Sequence, residues 1–360
     1  MTDLLDHTIR HVRPLDADAM RLAEARQLQL TKPPKALGRL ETLSIQLAGI
    51  QRRERPVIVD KAIAVMAADH GVVAEGVSAF PAEVTPAMVL NMVAGGAAIN
   101  VIGRHVGARV VISDVGVNAD LSAAAIRHDK IRRGTANMAQ GPAMSREEAV
   151  RAVETGIRLV EEEMEKGLDI IATGEVGIGN TTAASAVIAV LSGEPAPRVT
   201  GRGTGITREA LLGKVATIEK AIAVNEPDRL DPVDVLAKVG GLDIAGMTGV
   251  FLGAAAHRIP VVMDGFISAA AALAAVRLCH ECVDYILPSH VSIEIGHQVV
   301  LDELGLVPLF DLQMRLGEGT GAALSMGVIE ASARILSEMA TFESAGVAGD
   351  PSAADAELTR

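Results

Sequence analysis

The sequence predicts an α/β fold: a Rossmann-like parallel sheet with helices on both faces, plus a small helical domain built from the two chain ends. Three observations carry this. Short, continuously apolar runs recur between residues 60 and 290, and each stops at a polar residue, as parallel strands buried on both faces do. Segments of helical periodicity lie between them, and strands that alternate with helices pair in parallel under two helical layers. With 360 residues, 49% of them hydrophobic, the chain also has the material for one large core.

The elements follow in order. Residues 1–50 read as helical, with Leu22, Ala25, Leu28 and Leu30 ahead of the Pro33-Pro34 break, and form the first half of the small domain. The large domain spans 51–300. Its strand 62–68 stops at Asp69-His70-Gly71, and the strand 110–113 stops at Asp114. A helix follows over 145–166, where Ser145 and Glu148 form a capping box and Val150, Val153, Ile157, Val160 and Met164 share one face. The strand 168–173 stops at Gly174-Glu175 and turns into a helix over 183–191. The last two strands, 260–263 and 283–288, stop at Asp264-Gly265 and Ser289-His290. Residues 301–345, with an amphipathic helix over 326–342, complete the small domain, and 346–360, rich in Ala, Asp and Ser, form a flexible tail.

Composition narrows the function. A net charge of -12, with no Trp, one Tyr and five Phe, argues against nucleic-acid binding, because neither a basic surface nor a stacking platform is present. The N-terminus lacks the basic and apolar regions of a signal peptide, which points to the cytoplasm. Apolar stretches such as 267–276 fall short of the ~20 residues of a membrane span. Cys279 and Cys282 frame Cys-His-Glu-Cys without a second pair, and neither a HExxH helix nor a Gly-x-Ser-x-Gly elbow occurs. No metal and no cofactor is expected.

In an open parallel sheet, ligands bind beyond the carboxyl ends of the strands, so Asp69, Glu175, Asp264 and Ser289 are expected to converge there. Gly174 to Thr182 reads strand, glycine turn, helix start: Gly177, Ile178, Gly179, Asn180, Thr181 and Thr182 would form a phosphate cradle at the positive end of the helix dipole. A plain tight turn is the alternative. A second glycine loop, Gly201-Arg202-Gly203-Thr204-Gly205, precedes a helix whose Lys214 supplies a positive charge if it faces the same rim, and is otherwise a solvated side chain. Glu318 sits between Gly317 and Gly319 in Arg315-Leu316-Gly317-Glu318-Gly319-Thr320-Gly321-Ala322. A carboxylate partly desolvated there has a raised pKa, which suits a general base near neutral pH; a helix-entry acid is the other reading. The Gly-x-Gly-x-x-Ala spacing of this loop does not make a dinucleotide site, because it follows no first strand of a βαβ unit.

Motifs spanning nearly the whole chain carry a resemblance. Asp69-His70-Gly71-Val72 through Gly76-Val77-Ser78-Ala79-Phe80-Pro81, Ala94 to Asn100, Gly174 to Thr182, Pro260 to Ser268 and Arg315 to Gly321 occur in order. The chain resembles the nicotinate-nucleotide:dimethylbenzimidazole phosphoribosyltransferases of cobalamin biosynthesis. The resemblance implies transfer of ribose phosphate from nicotinate mononucleotide to 5,6-dimethylbenzimidazole, giving α-ribazole phosphate and nicotinate, in a homodimer. It implies Glu318 as general base and Glu175 as a second catalytic carboxylate holding ribose or base. It also implies substrate contacts by Asp69, His70, Ser78, Phe80, Gly203 and Lys214, and further by Asp243, Asp264, Ser289, Ser292, Gly317 and Gly319. Two departures stand out: Ala87 lies where the family pattern has glutamine, and Ile293 and Ile295 interrupt Ser-Ala-Glu-Pro-Gly-His around Glu294. Both bear on which base is accepted. A nucleotide-binding sensor without catalysis, or a transferase for another azole or a phenolic acceptor, remains open.

Overall fold

Alternating small and β-branched residues make Lys61–Ala68 (β1) buried at every position, which is a central strand's burden. The computed structural model, which describes residues 3–203 and 205–348, places it there. β2 (Ala108–Gly116), β3 (Ile170–Val176), β4 (Val261–Met263) and β5 (Ile286–Pro288) join it in a five-stranded, all-parallel sheet of order β2-β1-β3-β4-β5. The chain steps to one side of β1 to make β2 and then to the other side to make β3. That reversal opens a crevice at the carboxyl ends of β1 and β3.

Pairing extends two strands past their expected ends. β2 runs through Asp114 to Gly116, and β3 runs through Gly174 and Glu175, which lie opposite Val65 and Met66 of β1. A glycine and a carboxylate weaken a strand in isolation, but the β1 ladder satisfies their backbone here. β5 is shorter than expected, since residues 283–285 belong to the 3-10 turn His280–Tyr285. The long helix matches its expected span, Arg146–Glu165, with the Ser145 and Glu148 capping box in place. It packs on helix Leu242–Ala256 through bare backbone: a Cβ at Gly156 would lie 1.9 Å from the Gly246 carbonyl oxygen, and one at Gly249 would lie 1.8 Å from that of Val153.

The chain divides into two compact units. Of the described residues, 3–13 and those within 60–325 form the large one, and 14–59 with 326–348 form the other. The bounds differ from those expected from sequence, because 3–13 and 301–325 group with the sheet and 51–59 group with the small unit. Tyr285 shows one reason, since its hydroxyl donates to the Arg13 carbonyl at 2.7 Å. Within the small unit, Ala23, Ala48 and Leu336 pack together, and Arg26 donates to the Leu336 carbonyl. The long C-terminal helix runs Thr320–Glu338, starting six residues earlier than expected, and a short helix, Phe342–Ala345, follows it. Of the expected flexible tail, 349–360 lie outside the described residues.

One apolar stretch, Val84–Val106, is long enough by length and composition to cross a bilayer, which corrects the sequence expectation. Its backbone breaks into two helices, Val84–Val93 and Ala98–Val106, with Gly95 at φ +77° in the turn between them.

Candidate active site

The crevice beyond β1, β3, β4 and β5 holds a cavity of about 700 Å³. Its lining combines apolar side chains, Phe80, Val84, Met88 and Leu316, with polar ones, Glu175, Asn180, Thr181, Asp264, Ser292, Glu294 and Glu318.

Glu318 owes its position to three consecutive left-handed residues, Gly317 at φ +81°, Glu318 at +62° and Gly319 at +88°. For a glutamate this costs about 1–2 kcal/mol, a strain the neighbouring contacts hold in place. Close neighbours add to the preference for glycine: a Cβ on Gly317 would lie 2.1 Å from Glu175 Oε1 and displace that side chain, and one on Gly319 would lie 2.9 Å from Ile63 Cγ2. Gly174 leaves room for the loop from below, since its Cβ would meet the Glu318 carbonyl oxygen at 2.5 Å. Asp264, at the end of β4, fastens the loop by accepting from the Gly319 N–H at 3.1 Å and the Ala322 N–H at 2.9 Å. It thereby caps helix Thr320–Glu338, which explains that helix's early start.

Burial dominates the titration of these acids. It pushes Glu175 up to about 8, helped by the charges of Asp243 and Asp264. It pushes Asp264 up to about 7 against four backbone donors. Glu318 is raised by burial too, against the Ile99 N–H, and its Oε2 has no protein hydrogen-bond partner. Glu175 accepts a short hydrogen bond from Asn180 Nδ2, which also reaches Asp243 at 3.5 Å. Asp243 in turn pairs with His70 Nε2 at 3.1 Å; burial disfavours the imidazolium, but Asp243 outweighs it and raises the His70 pKa.

The polar lining draws on the first turn of helix Asn180–Ser192, whose N-cap Gly179 takes φ +95°. Lys214 is 1% exposed and donates to Thr181 Oγ1 at 2.8 Å, so it faces this site rather than solvent. Burial lowers its pKa to about 8, against the pull of Glu294.

Of the residues expected from sequence, Phe80, Glu175, Gly177, Ile178, Asn180, Thr181, Gly203, Asp264, Ser292, Gly317 and Glu318 line the cavity. The others stand behind it or beside it. Asp69 Oδ2 accepts from the Asn118 N–H at 2.7 Å, and Ser289 Oγ donates to the Asp264 carbonyl at 3.1 Å. His70 and Asp243 pair with each other, Gly179 and Thr182 lie in the helix start, and Gly319 lies in the Glu318 loop. Ser78 Oγ accepts from the Phe80 N–H at 3.2 Å. Thr204 lies outside the described residues. Sequence reading did not select Met88, Val84, His290, Glu294, Arg315 or Leu316, which also line the cavity. For His290 and Arg315 the signal was adjacency to selected residues. For Met88 and Val84 it was one face of an apolar helix, indistinguishable from core.

A family model described as phosphoribosyltransferase matches residues 12–347. The nicotinate-nucleotide–dimethylbenzimidazole phosphoribosyltransferase of Chloroflexus aggregans is 56% identical over 345 residues, covering 96% of this chain and 98% of that protein. The enzyme of the same name from Geobacter sulfurreducens is 54% identical over 346 residues, covering 96% and 98%. The crystal structure of CobT from Thermus thermophilus superposes with a TM-score of 0.90 at 45% identity, covering 92% of this chain and 100% of that one. With matched sequence, matched fold and a cavity at the sheet's switch point, the chain belongs to the nicotinate-nucleotide–dimethylbenzimidazole phosphoribosyltransferase family.

Proposed function

We propose that this protein transfers the phosphoribosyl group of nicotinate mononucleotide to 5,6-dimethylbenzimidazole, forming α-ribazole 5'-phosphate and nicotinate for the lower ligand of cobalamin. The observation that carries the reading is one cavity whose lining combines a buried carboxylate with an unpartnered oxygen, Glu318 Oε2, apolar side chains and the lysine-backed N-terminus of a helix. The apolar lining of Phe80, Val84, Met88 and Leu316 suits a flat, uncharged base. Thr181, Gly203 and Lys214 suit a phosphate, which the positive end of helix Asn180–Ser192 also favours. Glu175, held by Asn180 and lining the same cavity, suits the ribose.

The chemistry needs little else. Nicotinate departs from a nitrogen that is already cationic, so the C1'–N electron pair returns to the ring without a general acid. One benzimidazole nitrogen attacks C1', and the N–H proton of that ring passes to Glu318, a carboxylate whose pKa burial raises, which makes it a stronger base than a solvated one. Glu175, neutral at pH 7, donates to a ribose hydroxyl. Holding both substrates in line supplies much of the acceleration. Attack opposite the leaving group inverts the β-linked carbon, hence the α product.

We assign the working form as a homodimer in the cytoplasm. Support for the dimer comes from Leu90, Val93 and Val101, exposed apolar side chains on helices Val84–Val93 and Ala98–Val106 that a second copy would cover.

The test is release of nicotinate from nicotinate mononucleotide with and without benzimidazoles. Release that depends on 5,6-dimethylbenzimidazole is the expected result. Tight nucleotide binding with no release under any acceptor would make the protein a sensor.

A further inference from the structure

Around the glycine loop 201–205, one polar group has no task in the reaction as derived. Glu294 is 7% exposed, lines the cavity, and its Oε2 has no hydrogen-bond partner. It faces the same loop as the cationic arm of the site. A Cβ on Gly203 would lie 2.8 Å from Thr181 Oγ1 and 3.2 Å from Lys214 Nζ, while one on Gly201 would lie 1.9 Å from Glu294 Oε2. Arg315 Nη1 also holds the loop, donating to the Gly203 carbonyl at 3.0 Å.

Resting on the functional reading above, we propose that Glu294 is a third polar arm of the phosphate site, binding the nucleotide's phosphate as the carboxylic acid, with the Oε2 hydroxyl as hydrogen-bond donor. A phosphomonoester is largely dianionic at neutral pH, its second pKa being about 6. An ionised carboxylate beside it in a desolvated pocket would repel it, whereas an acid hydroxyl donates a strong hydrogen bond. Burial already raises the Glu294 pKa; Lys214, the Gly203 N–H and Arg315 act in the opposite direction. A bound phosphate engages those same cations and adds repulsion, so one proton moves from solvent onto Glu294 as the ligand enters. His297, on the adjoining helix Ile295–Leu304, does not supply it: its Nδ1 accepts from the Ser292 N–H at 2.9 Å and burial holds its pKa at about 3. Glu294 thus turns a repulsive neighbour into a selective one, which prefers an anion with acceptor oxygens.

Calorimetric titration near pH 7.5, in two buffers of different ionisation enthalpy, reads proton uptake directly. Ribose 5-phosphate and nicotinate mononucleotide serve as probes. The wild type takes up protons on binding either one. Glu294→Gln, whose amide N–H₂ donates in place of the hydroxyl, binds within about threefold of wild type with reduced uptake, and Glu294→Ala binds about tenfold more weakly, a lost hydrogen bond's worth. Removing the carboxylate's charge leaves Lys214 easier to deprotonate, which by itself would increase uptake in the variant. The comparison is therefore repeated in a Lys214→Arg background, whose guanidinium does not titrate; uptake undiminished by Glu294→Gln there overturns the proposal, as do tighter binding by both variants or no binding of either probe to wild type. Reduced uptake with nicotinate mononucleotide binding no better than ribose 5-phosphate would uphold Glu294 and count against the nucleotide reading instead.

Discussion

At the scale of single residues, the site is a set of acids kept partly neutral by burial, and this has a thermodynamic cost. Glu175 ionises near pH 4.5 in the unfolded chain and near 8 in the fold. Below pH 4.5 both states hold the proton and folding pays nothing. Between 4.5 and 8 the unfolded chain has released it while the folded one retains it, so stability falls as pH rises through that window. Glu175→Gln removes the titration. Its melting temperature is expected to drop less between pH 5 and pH 8 than that of wild type, measured by calorimetry without ligand. An equal drop in both proteins would show that Glu175 ionises freely. The sequence showed Glu175 and Glu318 through their glycine frames, because glycines beside a carboxylate mark close approach. It did not show why Glu318 is usable, namely that Asp264 grips the following helix and three left-handed residues turn the side chain inward. Those depend on contacts between segments more than fifty residues apart. Lys214 was ambiguous for the same reason, as only the fold reveals that Thr181 receives it.

At the scale of elements, periodicity identified each strand and the capped helix Arg146–Glu165, while boundaries followed neighbours rather than local preference. Gly174 and Glu175 look like a strand's end, yet β1 keeps them in register. The expected helix over 326–342 begins at Thr320 instead, because Asp264 caps the small-residue run Thr320 to Ser325. Glycines within helices were the least legible, since their use lies in a partner. Helices Arg146–Glu165 and Leu242–Ala256 touch where Gly249 leaves no room for a methyl group, with a Cβ only 1.8 Å from a backbone oxygen that cannot swing aside. Gly249→Ala is expected to destabilise the protein by about 1–3 kcal/mol, the overpacking range, despite alanine's better helix propensity. Chemical denaturation measures it; a variant as stable as wild type would mean the two helices separate without penalty.

At the scale of the whole molecule, one sheet, wound both ways from β1, delivers acids from β3 and β4, a cation from helix Arg208–Asn225 and apolar side chains from helix Val84–Val93 to a single crevice. The same apolar stretch exposes Leu90, Val93 and Val101 on its outer side. Leu90→Glu is expected to shift the protein from dimer to monomer in light scattering, and a wild type that is monomeric would remove the dimer assignment. The central claim is that Glu318 is the base for phosphoribosyl transfer, and the most direct measurement compares Glu318→Gln with wild type in nicotinate release, alongside the affinity of each for both substrates. The account expects affinities within a few fold and turnover lower by roughly two to four orders of magnitude, the range of a lost general base; turnover within threefold of wild type would contradict it.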